Sequence, residues 1–125
     1  MAGTYTEIVE ILAPESAVAG SAVNIAVAIR NTWSATIHVY CVAVLNSESR
    51  FIDWLDAWVN PGQTLYFNGS FVMPNNDARI DAVSYWEDTD GYVHSDDSMS
   101  KDVNLAAVPT VPAVSEFSIA DYSQV

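Results

Sequence analysis

Gly20 to Asn31, reading GSAVNIAVAIRN, is the stretch that decides the fold. Val23, Ile25, Val27 and Ile29 fall on one face, and Asn24, Ala26, Ala28 and Arg30 on the other. That is a period of two along a whole strand, with β-branched residues on the apolar side. Pro14 and Gly20 punctuate the approach, and Asn31-Thr32 ends the run. A strand with one apolar face needs neighbours beside it and a second layer opposite.

Working outward, Tyr5 to Leu12 alternates weakly and stops at Ala13-Pro14, which suits a strand near a sheet edge. Glu15 to Ala19 reads as a connecting turn. Thr36 to Leu45 has few polar positions, as an interior strand does. Arg50 to Val59, RFIDWLDAWV, fits a helical stripe and a strand about equally by period. Its β-branched and aromatic content and the Asn60-Pro61-Gly62 close favour the strand. Gln63 to Met73 keeps its apolar parity through Asn68-Gly69, so it reads as one strand with a bulge or close backbone approach at Gly69. Ala78 to Trp86 and Ser98 to Leu105 are further strands, joined by an acidic connection from Glu87 to Asp97 with Asp90-Gly91 as its turn. The expected fold is all-β: a single immunoglobulin-like antiparallel β-sandwich of seven or eight strands over residues 1–106, with an extended C-terminal tail. In residues 107–125, Pro109 and Pro112 stiffen a linker, and Phe117, Ile119 and Tyr122 restore strand-like alternation.

Composition excludes several classes. Half of the residues are hydrophobic, which argues against a disordered chain. No apolar run reaches the roughly 18–20 residues of a membrane span. Sixteen acids against four bases give a net charge of −12, so nucleic acid and anionic membrane surfaces are not expected partners. The first residues, MAGTYTEIVE, lack the basic and apolar regions of a secretory leader, so the expectation is assembly inside the producing cell or a leader already removed. Cys41 is the single cysteine and lies in an apolar run, where a buried inert thiol is expected.

Ala13-Pro14, Gly20, the alternating strand to Asn31, the Pro61-Gly62 turn and the close Phe71-Val72-Met73-Pro74 together resemble CARDB-type immunoglobulin-like domains over about residues 5 to 105. Those are cell-adhesion-related modules of bacteria and archaea, and similar folds recur in phage virion proteins. The resemblance implies a seven-stranded sandwich used as a spacer, display or interaction module, and it implies no catalytic residues.

Three candidate sites stand out. Glu87, Asp88, Asp90, Asp96 and Asp97 crowd the acidic connection, where hard oxygen ligands could hold calcium. Their spacing does not match an EF-hand, and the expected reading is a solvated loop with no metal. Trp54, Trp58, Tyr85, Trp86 and Tyr92, with Asp53 and Asp56 nearby, offer aromatic faces on which a glycan could stack, Trp54 and Trp58 above all, although large aromatics in a sandwich more often fill the core or cap its ends. Phe117, Ile119 and Tyr122 are too few to bury themselves and are expected to dock on a partner chain or shell lattice, supporting a homo-oligomer through the tail. No catalytic constellation and no cofactor motif are expected. The leading functional reading is therefore a non-enzymatic structural module, most concretely a virion (capsid) accessory or decoration protein. The alternative is a carbohydrate- or cell-surface-binding module of a larger secreted protein. The expected location is a virion or an extracellular surface.

Overall fold

The computed structural model describes residues 3–107. Eight strands run through them: β1 Thr6–Leu12, β2 Ser16–Val18, β3 Ala22–Asn31, β4 Ile37–Leu45, β5 Ser49–Val59, β6 Thr64–Val72, β7 Ala78–Glu87 and β8 Val93–Ala106. They form a sandwich of a three-stranded sheet, β1-β3-β6, and a five-stranded sheet, β2-β8-β7-β4-β5. The stretch GSAVNIAVAIRN is the middle of the smaller sheet. Val23, Ile25, Val27 and Ile29 are each at most 2% exposed. Val39, Cys41, Ala43, Ile52, Ile80, Ala82 and Val103, from the other sheet, are buried in the same core. Burial pushes the Cys41 thiol up to about 12, consistent with an inert packing residue.

The ambiguous segment at 50–59 is a strand at the free edge of the larger sheet, paired with β4. Its parity is broken, however. Cys41 pairs with Leu55 and Ala43 with Ile52, so Asp53 and Trp54 form a bulge opposite β4. The extra residue turns the ladder over, which lets both Ile52 and Val59 face the core although they are an odd number apart. Trp54 carries the distortion with a φ of 55°, a conformation rare for a bulky residue. Gly69 shows a close approach and no bulge, since the β3–β6 register is unbroken from Ala22↔Val72 to Arg30↔Thr64. A Cβ there would stand 2.5 Å from Ile52 Cγ1 and 2.9 Å from the Phe51 carbonyl oxygen. Only glycine lets β5 and β6 close this side of the sandwich.

Two readings of the sequence need correction. Ser16–Val18, read as part of a turn, pairs in parallel with Asn104–Ala106 of β8, so the sandwich is antiparallel except at this edge. Three residues are too few for a period to signal a strand; the pairing depends on where β8 ends. The acidic connection is also much shorter than 87–97. Val93 already pairs with Glu87, and β8 runs from there through Asp96 and Asp97. The two aspartates belong to a strand because their carboxylates have partners across the sandwich.

Those partners hold the N-terminal strand. Ser84 pairs with Asp97 and Tyr85 with Ser95, leaving Asp96 as the extra residue of a bulge. The bulge aims the Asp96 carboxylate at β1. There it accepts from the amides of Thr4 (3.1 Å), Tyr5 (3.0 Å) and Thr6 (2.6 Å) and from the Thr6 hydroxyl (2.7 Å). Asp97 accepts from the Ile8 amide at 2.8 Å. The Thr6 and Ser84 hydroxyls, both on buried residues, share a hydrogen bond of 2.7 Å between the sheets. Alternate amides of an edge strand have no backbone partner, and here two carboxylates supply them. Phe117, Ile119, Tyr122 and the rest of the expected tail lie outside the described residues.

Replacing Asp96 by alanine strands three amides and a hydroxyl. The expected loss is about 2–4 kcal/mol of stability in urea unfolding, against no more than about 0.5 kcal/mol for Asp102→Ala on the same strand. Equal midpoints for the two variants would refute the clamp.

Candidate binding face and terminal cleft

On the solvent side of the five-stranded sheet, strand parity brings His38 and Tyr40 of β4, Trp54, Asp56 and Trp58 of β5, and Tyr85 and Glu87 of β7 together. His38 pairs with Trp58, Tyr40 with Asp56 on one side and Tyr85 on the other. Their rings make a continuous run. Trp58 stacks on His38 with centroids 4.6 Å apart and planes 13° apart. His38 meets Tyr40 at 4.5 Å, Tyr40 meets the edge of Trp54 at 6.2 Å, and Trp54 meets Tyr85 at 4.5 Å. Trp54 and Trp58 remain 41% and 65% exposed. Both expected glycan-contact residues are thus on the surface.

Carboxylates brace this run. His38 contacts Glu87 through Nδ1 (2.9 Å) and Asp56 through Nε2 (2.6 Å), and a neutral ring could donate to only one of them. The Tyr40 hydroxyl donates to the same Glu87 oxygen at 2.6 Å. That hydrogen bond, helped by partial desolvation and the Glu87 charge, pushes the Tyr40 phenol up to about 12.

A second aromatic group closes the adjoining end of the sandwich. Tyr5 stacks on Trp86 at 3.7 Å and touches Trp33 at 4.5 Å, while Trp86 reaches His94 at 5.3 Å. Residues of both groups line a cleft of about 240 Å³: Trp33 and Trp86, His38 and Trp58, with Ile37, Glu87 and Asp88. Buried Asn31 fixes the turn that carries Trp33. Its side-chain amide donates to the carbonyls of Ala35 and Val59, each at 2.8 Å, and its side-chain oxygen accepts from the Trp33 amide at 2.7 Å.

The acidic residues of the expected loop are divided among separate tasks. Asp88 opens the β7–β8 hairpin: it accepts from the amides of Asp90 and Tyr92, each at 2.9 Å, and from His94 Nε2 at 2.7 Å. Gly91, at a φ of 87°, supplies the left-handed residue that this short loop requires. The His94 contact and the turn amides hold the Asp88 carboxyl below its ordinary range. Asp96 and Asp97 point across the sandwich instead. Among the described residues, no group of three or more histidine, cysteine or acidic side chains is placed to hold a metal ion. What the sequence alone missed is the part of Trp33 and His38, which join Trp86 and Trp58 around this cleft. They lie on different strands and turns, and no spacing along the chain announces that meeting.

No family model matches the sequence, and no curated protein is similar to it in sequence. The fold does have a solved counterpart. The CARDB domain of the PF1109 protein from Pyrococcus furiosus, solved in complex with di-metal ions, superposes with a TM-score of 0.64 at 12% identity, over 85% of this chain and 93% of that one. The domain described here therefore has a CARDB-like fold.

Two measurements check the electrostatics of the site. Ultraviolet titration of phenolate is expected to find Tyr40 still protonated well above its ordinary value of 10.0, and Glu87→Gln to bring it down; an unchanged titration in that variant would remove Glu87 as the cause. Ionised Asp88 contributes stability above its ordinary pKa of 3.8, and the contribution drains away as pH falls through the lower folded value. The difference in melting temperature between wild type and Asp88→Asn should accordingly be largest near neutral pH and shrink below the ordinary value. A constant difference would contradict the hydrogen-bonded geometry.

Proposed function

We propose that this domain is a non-enzymatic interaction module that engages a partner protein through the outer face of its five-stranded sheet, in the setting of an accessory or decoration protein on a virion or similar assembly. The supporting observation is the exposed aromatic run from Trp58 to Tyr85. Aromatic side chains left on the solvent side of a sheet, and braced there by Glu87 and Asp56, suit a contact surface better than a core. The β5 bulge adds to the reading, because a bulky residue held at a positive φ within this aromatic run costs stability that a purely structural strand has no need to spend. The virion setting draws on the CARDB-like fold, the high negative charge and the alternating sequence of the tail. In this reading Phe117, Ile119 and Tyr122 make a second contact, on a neighbouring copy or the shell.

A carbohydrate-binding role is the other reading that a specific observation favours, since the indoles of Trp54 and Trp58 are both open to a flat ligand. A glycan array decides between them. The protein-partner reading expects no glycan signal that depends on these residues. Specific glycan binding lost in Trp54→Ala or Trp58→Ala would overturn it in favour of sugar recognition. The tail is tested separately, by light scattering of the full chain against a chain ending at Ala107; a homo-oligomer that becomes monomeric on truncation is the expected outcome.

A further inference from the structure

We propose that the cleft between Trp33, Trp86, His38 and Trp58 receives an arginine side chain from a basic segment of the partner protein. This rests on the reading that the partner is a protein and specifies the chemistry of its central contact. Three observations converge on a guanidinium. First, four aromatic side chains, Trp33, His38, Trp58 and Trp86, line the cleft, and a planar guanidinium stacks on such rings. Second, Glu87 lines the cleft with one oxygen uncommitted. Its Oε1 takes both His38 and Tyr40, while Oε2 makes no hydrogen bond among the described residues. A guanidinium held between rings can donate in its own plane to that oxygen, a combination that a compact, strongly hydrated ammonium serves less well. Third, no arginine or lysine among the described residues takes the place. Of the chain's four basic residues, Arg30 pairs with Glu7, Arg50 with Asp53 and Arg79 with Asp81, and Lys101 lies on β8 away from the cleft lining.

The charge balance favours the same occupant. A chain with a net charge of −12 attracts basic surfaces over a distance and repels acidic ones. A neutral sugar would use the rings but leave the free carboxylate oxygen without a charged partner. Trp54 serves as an internal control, because it lies on the outer face but does not line the cleft.

The test uses the full chain labelled at its tryptophan indoles, titrated by NMR with N-acetyl-arginine amide, N-acetyl-lysine amide and a chito-oligosaccharide. The expected result is saturable movement of the Trp33, Trp58 and Trp86 indole signals with the arginine probe, a weaker response to lysine, and no movement of Trp54. The affinity should fall roughly tenfold in Trp58→Ala and in Glu87→Gln, and it should fall with added salt. Trp58 is largely exposed, so its truncation keeps the test valid even where Glu87→Gln perturbs folding. Absence of saturation, equal response to arginine and lysine, or affinity unchanged in Trp58→Ala would overturn the inference. Saturation by the oligosaccharide in place of arginine would overturn it together with the protein-partner reading. A partner that still binds the Trp54 face, with a cleft indifferent to arginine, would overturn the inference alone.

Discussion

One carboxylate holds the arrangement together. Asp96, displaced from the β8 ladder by a bulge, gathers the amides of Thr4, Tyr5 and Thr6 and the Thr6 hydroxyl. An edge strand in a two-layer sandwich has donors on its open side that no backbone acceptor reaches, and leaving them dry is costly. Asp96 and Asp97 convert that liability into a bond between the layers. The cost is a fixed position for β1, which no small side-chain adjustment can relax. Gly3 shows how tight the clamp is, since a Cβ there would stand 2.3 Å from the Asp96 carboxylate.

The terminal cleft inherits its geometry from this clamp. Tyr5, whose amide is one of the Asp96 donors, lays its ring on Trp86 and touches Trp33, so one wall of the cleft is set by a hydrogen bond made on the far side of the same strand. Asn31 completes the wall by holding the turn at Trp33 against the end of β5. The opposite wall is built differently. His38 and Trp58 are cross-strand partners at the start of β4 and the end of β5, and carboxylates on both neighbouring strands keep the imidazole in place. Rigid supports beneath exposed aromatic rings lower the entropy lost when a partner docks, which is why such a surface suits binding.

The acidity of the chain divides along the same lines. At the sequence level the carboxylates from Glu87 to Asp97 look like one cluster. In the folded domain Glu87 braces His38 and Tyr40, Asp88 closes a hairpin, and Asp96 and Asp97 hold β1. Glu87 ends β7, Asp88 lies in the hairpin loop, and Asp96 and Asp97 sit on β8, where a bulge lets both reach β1, so the run is divided by element rather than by alternation.

The sequence by itself determined the fold class, the strand at 20–31 as the middle of a sheet and the burial of Cys41, and it marked Gly69 as a bulge or a close approach without choosing between them. Each of these depends on a local rule: alternation, apolar runs, or a glycine that interrupts a strand without breaking its parity. The tertiary structure decided the rest. The parallel pairing of Ser16–Val18 depends on where a strand nearly ninety residues later comes to an end. The inward turn of Ile52, to the core side with Val59, depends on a bulge at Asp53-Trp54 whose only sequence trace is their odd separation. The cleft joins Trp33, His38, Trp58 and Trp86 from three strands and a turn, and contacts of that kind exist only once two sheets have packed.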